Sequence, residues 1–114
     1  MEGKEFNGKI ETIIGKETKF FGLIESTENI RIDGKHDGEL STKGDLLISE
    51  TGEVQGRFKV RNLLIAGAVQ GETDINGKLK ILSTGNFRGE ATMSILEINE
   101  GAGFQGKCQQ NKAK

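Results

Sequence analysis

Few of the 114 residues could act together as acid, base, nucleophile or metal ligand. The chain has one histidine, His36, and one cysteine, Cys108. A zinc site or a base-activated nucleophile needs several such groups, so neither residue has the partners for that chemistry. The single thiol also excludes an internal disulfide. Asp33, Asp37 and Asp45 are close in sequence but lack calcium-loop spacing, and they read as a solvated outer face. Gly101-Ala102-Gly103-Phe104-Gln105-Gly106 spells G-x-G-x-x-G. A dinucleotide site would also need a helix opening at the last glycine and an acidic residue ~20 positions on. Only eight Lys/Gln-rich residues remain, so the run reads as a corner. Four G-x-x-x-G pairs (34/38, 52/56, 67/71, 85/89) lie on no apolar helix and read as repeat punctuation. No cofactor or metal is expected.

Composition narrows the classes further. Sixteen basic against seventeen acidic residues leave a net charge of −1, with no basic excess for nucleic acid. Glycine numbers 17 while proline, tryptophan and tyrosine are absent. The opening Met1-Glu2-Gly3-Lys4-Glu5 is polar, unlike a secretory signal. The longest apolar run, Leu63 to Val69, is far short of the ~20 residues of a membrane span. A soluble cytoplasmic protein is expected.

An internal repeat sets the architecture. Glycines at 22, 38, 56, 71, 89 and 106 each stand two places after Phe20, His36, Val54, Val69, Phe87 and Phe104, at intervals of 16, 18, 15, 18 and 17. Two places after the glycines comes a second column: Ile24, Leu40, Phe58, Thr73, Ala91 and Cys108. A third set is Ile30/Ile32, Leu46/Ile48, Leu63/Ile65, Leu79/Ile81 and Leu96/Ile98. Apolar and polar residues alternate within each unit, which is strand periodicity, and no stretch holds a 3.6-residue period. A unit of 15 to 18 residues cannot bury its own apolar face, so the units must stack as a β-solenoid. About six rungs of three short strands, at ~4.8 Å per rung, give a rod ~29 Å long. On this reading His36 and Cys108 are core residues of inward columns. The domain spans residues 12–108, with polar tails at 1–11 and 109–114.

The motifs Ile32-Asp33-Gly34-Lys35, Gly52-Glu53-Val54-Gln55-Gly56, Leu82-Ser83-Thr84-Gly85 and Ile98-Asn99-Glu100-Gly101-Ala102 resemble those of the bactofilins, bacterial polymer-forming cytoskeletal proteins. The resemblance runs from about Thr12 to Cys108. It implies a single-domain right-handed β-helix that self-assembles without nucleotide. It further implies filaments that scaffold or position cell-envelope proteins, at the inner face of the membrane.

The residues themselves also point to self-assembly. A solenoid has open strand edges at both ends, which other proteins cover with a helix, proline or inward charges. Here the ends carry apolar residues instead: Ile13, Ile14 and Phe20 at the N-terminal end, and Leu96, Ile98 and Phe104 at the C-terminal end. These six are the expected polymer contacts, provided the polar tails do not fold over them as caps. Phe21, Leu47 and Leu64 fall where alternation sends side chains outward. Leu47 and Leu64 share a column, which predicts a small exposed patch for a lateral contact. The Met1–Lys9 segment has two Lys, two Glu and one Phe, too little for firm membrane anchoring by a free subunit. The competing class is a left-handed hexapeptide-repeat transferase, suggested by the six-residue steps Ile48, Val54, Val60. Units of 15 to 18 residues reset that step, and His36 on an inward column serves poorly as its general base. An ice-binding surface would need a Thr-x-Thr ladder, and no two threonines here are two apart.

Overall fold

A computed structural model describes residues 10–111. The expected weak membrane contact of Met1–Lys9 falls outside the described residues. Thirteen strands follow in chain order: β1 (Ile10–Ile14), β2 (Lys19–Phe21), β3 (Ile24–Ser26), β4 (Asn29–Ile32), β5 (Lys35–Thr42), β6 (Asp45–Ile48), β7 (Glu53–Val60), β8 (Asn62–Ile65), β9 (Ala68–Ile75), β10 (Lys78–Ile81), β11 (Asn86–Met93), β12 (Ile95–Ile98) and β13 (Gly103–Gln110). No helix occurs among the described residues. The strands begin at Ile10 and end at Gln110, two residues beyond the expected domain limits on each side. Backbone pairing with the neighbouring turn, as at Ile10↔Asn29 and Met93↔Gln110, extends strands past the apolar pattern.

All pairings are parallel and form two sheets. One holds β1-β4-β6-β8-β10-β12; the other runs β13-β11-β9-β7-β5-β2, with β3 also on β5. Each turn of this six-turn solenoid contributes one short strand to the first sheet and one eight-residue strand to the second. In turn one the longer strand is split into β2 and β3.

The corner in each long strand is the glycine series. Gly22, Gly38, Gly56, Gly71, Gly89 and Gly106 have φ between 128° and 138°, a region that side chains with a Cβ rarely enter. They stack in register, so a Cβ on Gly56 would run into the carbonyl of Gly38 in the turn before. Two physical constraints, conformation and close approach, therefore select glycine at the same place. At the other corners, polar side chains tie one turn to the next. The Asn29 and Asn62 amide oxygens accept from the Asp45 and Lys78 N–H groups at 2.8 and 2.7 Å, and Thr84 Oγ1 donates to the Ala66 carbonyl at 2.7 Å.

The core is the stack of inward columns. Ile30, Leu46, Leu63 and Leu79 lie over one another, as do Ile32, Ile48, Ile65 and Ile81, all buried. A further inward column, Thr42, Val60, Ile75 and Met93, is buried as well. It escapes the sequence pattern because its outer members are Ser26 and Gln110, which hide its apolar middle. Thr73 interrupts the Leu40–Phe58–Ala91 column, and its buried hydroxyl has no hydrogen-bond partner among the described residues.

Candidate functional site

The two ends of the solenoid differ from its body in one respect. Among the described residues, every exposed large apolar side chain lies in turn one or turn six: Ile13, Phe20, Phe21 and Leu23 in the first, and Ile95, Leu96 and Ile98 in the last. Leu96 and Ile98 continue columns that are closed to solvent at Leu79 and Ile81, yet they are 39% and 43% exposed. Phe104 stacks on Phe87, ring centroids 5.2 Å apart, and is half-buried, with no turn over its other face among the described residues. The same sequence pattern thus produces core in the middle and sticky surface at the limits. Burial of such faces is the main favourable contribution to association.

The N-terminal end is built on His36. Phe20, 37% exposed, stacks on the buried imidazole at 5.4 Å, and Phe58 meets the same ring edge-on at 6.2 Å. His36 Nδ1 lies 3.2 Å from the Phe20 carbonyl and Nε2 3.3 Å from the Glu39 carbonyl. Both ring nitrogens therefore face carbonyls of the rod itself. Ile14 departs from its expected place on the end face. It is buried in the core against Ile32, while its neighbour Ile13 points outward. Strand alternation permits only one of two adjacent residues to face inward.

Leu47 and Leu64 do share a column, but both are buried and form no exposed patch. Alternation sets the direction of a side chain and not its cover. Their column is bracketed by Arg31 and Lys80, and the Lys80 side chain is itself largely withdrawn from water. Phe21, the third expected lateral residue, is exposed. Cys108 also differs from expectation. It stands over Ala91 with Sγ 3.4 Å from Met93 Sδ, but it is exposed, with no further turn over it among the described residues.

The acidic residues are held by partners on the rod. Asp45 is buried, accepting from Arg61 Nε at 2.9 Å and Asn62 Nδ2 at 3.0 Å, contrary to a solvated reading. Asp37 accepts from Gln55. Burial pushes the Asp33 carboxyl up, but hydrogen bonds from Arg31 Nε and Ser49, with the Arg31 charge, leave it below the ordinary carboxylate value. Glu97, in the last turn, is also lowered, first by the Lys78 hydrogen bond. No cluster of three metal-ligating side chains occurs among the described residues. The G-x-G-x-x-G run opens strand β13, so its glycines turn the chain and hold no helix N-terminus.

Residues 12–109 match the family model of the bactofilins, described as polymer-forming cytoskeletal. The chain belongs to the bactofilin family. Two solved structures of the bactofilin from Thermus thermophilus are similar to it, each at 31% identity. A cryo-EM reconstruction of its double helical filaments aligns with a TM-score of 0.84 over 89% of this chain and 100% of that one. A crystal structure of a mutant of the same protein aligns at 0.73 over 77% and 98%. No curated protein matches the chain. No helix among the described residues is long and apolar enough to cross a membrane.

Proposed function

We propose that this chain is a non-enzymatic filament subunit that stacks end to end without nucleotide or metal. The carrying observation is the confinement of exposed large apolar side chains to the first and last turns. On this reading Leu96, Ile98 and Phe104 form the C-terminal contact. Phe20 forms the N-terminal one, with Ile14 as buried support and Ile13, on the outer side of the same turn, at its rim. Covering the free face of Phe104 contributes ~1–2 kcal/mol per subunit from apolar area, and edge-strand hydrogen bonds add to it. The solenoid winds right-handed, and the glycine corner makes each long strand two straight segments, giving three faces per turn. The filaments act at the cytoplasmic face of the envelope, where they position other proteins. The family match and the filament structure of the Thermus thermophilus relative support this reading.

Negative-stain electron microscopy of the purified protein in chelator, with no nucleotide, tests it. Filaments are expected. A stable monomer by light scattering at tens of micromolar (about the range where weak self-association shows) contradicts it.

A further inference from the structure

The outer surface of turn one breaks a rule that the other five turns keep. The outward position just before the corner glycine is Phe21 in turn one. In the other turns it is aspartate, glutamine or arginine, from Asp37 through Gln105. The position just after that glycine is Leu23 in turn one, and glutamate, arginine or lysine elsewhere, from Glu39 through Lys107. Phe21 and Leu23 flank Gly22 and are 71% and 56% exposed. They straddle one corner, immediately outside the end face that Phe20 occupies.

Stacking two flat ends does not cover these side chains, because they point away from the rod. A partner lying along the side does not account for them either. It would select apolar residues down a column, and both columns are polar from turn two onward. What fits is a contact that begins on the end face and continues over its rim. Area argues the same way. The body measures 35 × 30 × 27 Å, so a flat end offers little beyond the ~800 Å² per partner that specific contacts bury. Apolar surface just outside the end is where such a contact gains area.

We infer that the second copy seated on the N-terminal end of the rod reaches over the Gly22 corner and buries Phe21 and Leu23. The inference rests on the end-to-end reading above and adds the shape of one contact.

The test compares Phe21→Ser/Leu23→Ser with Phe104→Arg in the full chain. Critical concentration for assembly is read by sedimentation, and folding by thermal melting. The double variant is expected to raise the critical concentration at least tenfold while its melting temperature stays within about 2 °C, as suits two exposed positions. Independently, Leu23→Cys in a Cys108→Ser background is expected to react with a bulky maleimide at least tenfold more slowly in filaments than in subunits dispersed by dilution. An unchanged critical concentration, or a thiol equally reactive in both states, overturns the inference. If Phe104→Arg breaks filaments while the double variant assembles as the wild type does, only the rim contact fails. If Phe104→Arg also leaves filaments intact, the end-to-end reading fails with it. A double variant that assembles normally but no longer sediments with phosphatidylglycerol vesicles makes the corner a lipid contact and overturns the proposal.

Discussion

The middle turns and the terminal turns of this solenoid are made from the same columns, and they differ in what lies above them. Val54, Val69 and Phe87 are sealed between neighbours, whereas among the described residues Phe20 and Phe104 have a stacked neighbour on one side only. Leu79 and Ile81 are core, and Leu96 and Ile98, one turn on, are surface. A residue's role here follows from its turn more than from its type. One repeat therefore supplies both the buried core and the exposed apolar ends.

The largest expected difference separates two arginine substitutions in one column. Val54→Arg traps a charge between His36 and Val69 with no partner, at a cost of several kcal/mol. That approaches the whole stability of a small domain, so strand circular dichroism and protease resistance should be lost. Phe104→Arg lets the charge reach solvent. Its circular dichroism should match the wild type while filaments shorten to small oligomers. If both variants unfold, or neither does, turn position is not what decides.

Glycine corners sharpen the comparison. A Cβ on Gly71 would collide with the Gly56 carbonyl and would also sit at φ 132°. At Gly22 the φ of 128° is the same kind of strain, but the nearest atom is Phe20 Cζ at 4.0 Å. Strain alone costs on the order of 1–3 kcal/mol. Gly71→Ala should therefore destabilise by more than Gly22→Ala, by at least about 2 kcal/mol in urea unfolding. Equal losses would mean that packing between turns does not constrain the corner.

Thr73→Val should go the other way. Its hydroxyl is buried between Phe58 and Ala91 with no partner among the described residues, and the isosteric swap removes that penalty, stabilising by ~1 kcal/mol. A melting temperature higher by a few degrees is expected; a lower one would mean that the hydroxyl is hydrogen-bonded. The smallest effect concerns Asp33, whose carboxyl is held below its ordinary value in the fold. A depressed folded value means that its contribution is complete above the unfolded pKa of ~3.9 and disappears as pH falls through the lower folded value. Asp33→Asn should cost less than ~1 kcal/mol at pH 7, since the Arg31 pair is partly solvated. The gap between variant and wild type should close on acidification below about pH 4. A gap that widens there reverses the sign.

Much of this was legible without coordinates. The six glycines, the Phe20-to-Phe104 column and the Leu/Ile pairs are all in register in the sheets. Polar residues at its ends hid the Val60–Ile75–Met93 column, because the pattern was anchored on residues recurring in every unit. Asp45 looked like surface, yet its cover comes from Arg61 and Asn62, sixteen and seventeen residues away. Ile13, Phe20, Leu96 and Ile98 are exposed where the pattern put them, whereas the exposed Leu23 and Ile95 stand outside it. Ile13 and Ile14 were not separated, since two adjacent isoleucines carry no sign of which one faces in.

The sequence by itself determined register. Glycine corners and alternating side chains are short-range constraints: a backbone either tolerates a Cβ or it does not, and successive strand residues must face opposite ways. Those rules, repeated six times, allow one alignment of the turns. Only the tertiary structure decided exposure. Whether Leu47 is covered, whether Cys108 is core and which of Ile13 and Ile14 meets solvent depend on which atoms lie nearby in space, and the sequence pattern does not carry that. Direction belongs to the chain, while burial belongs to its neighbours.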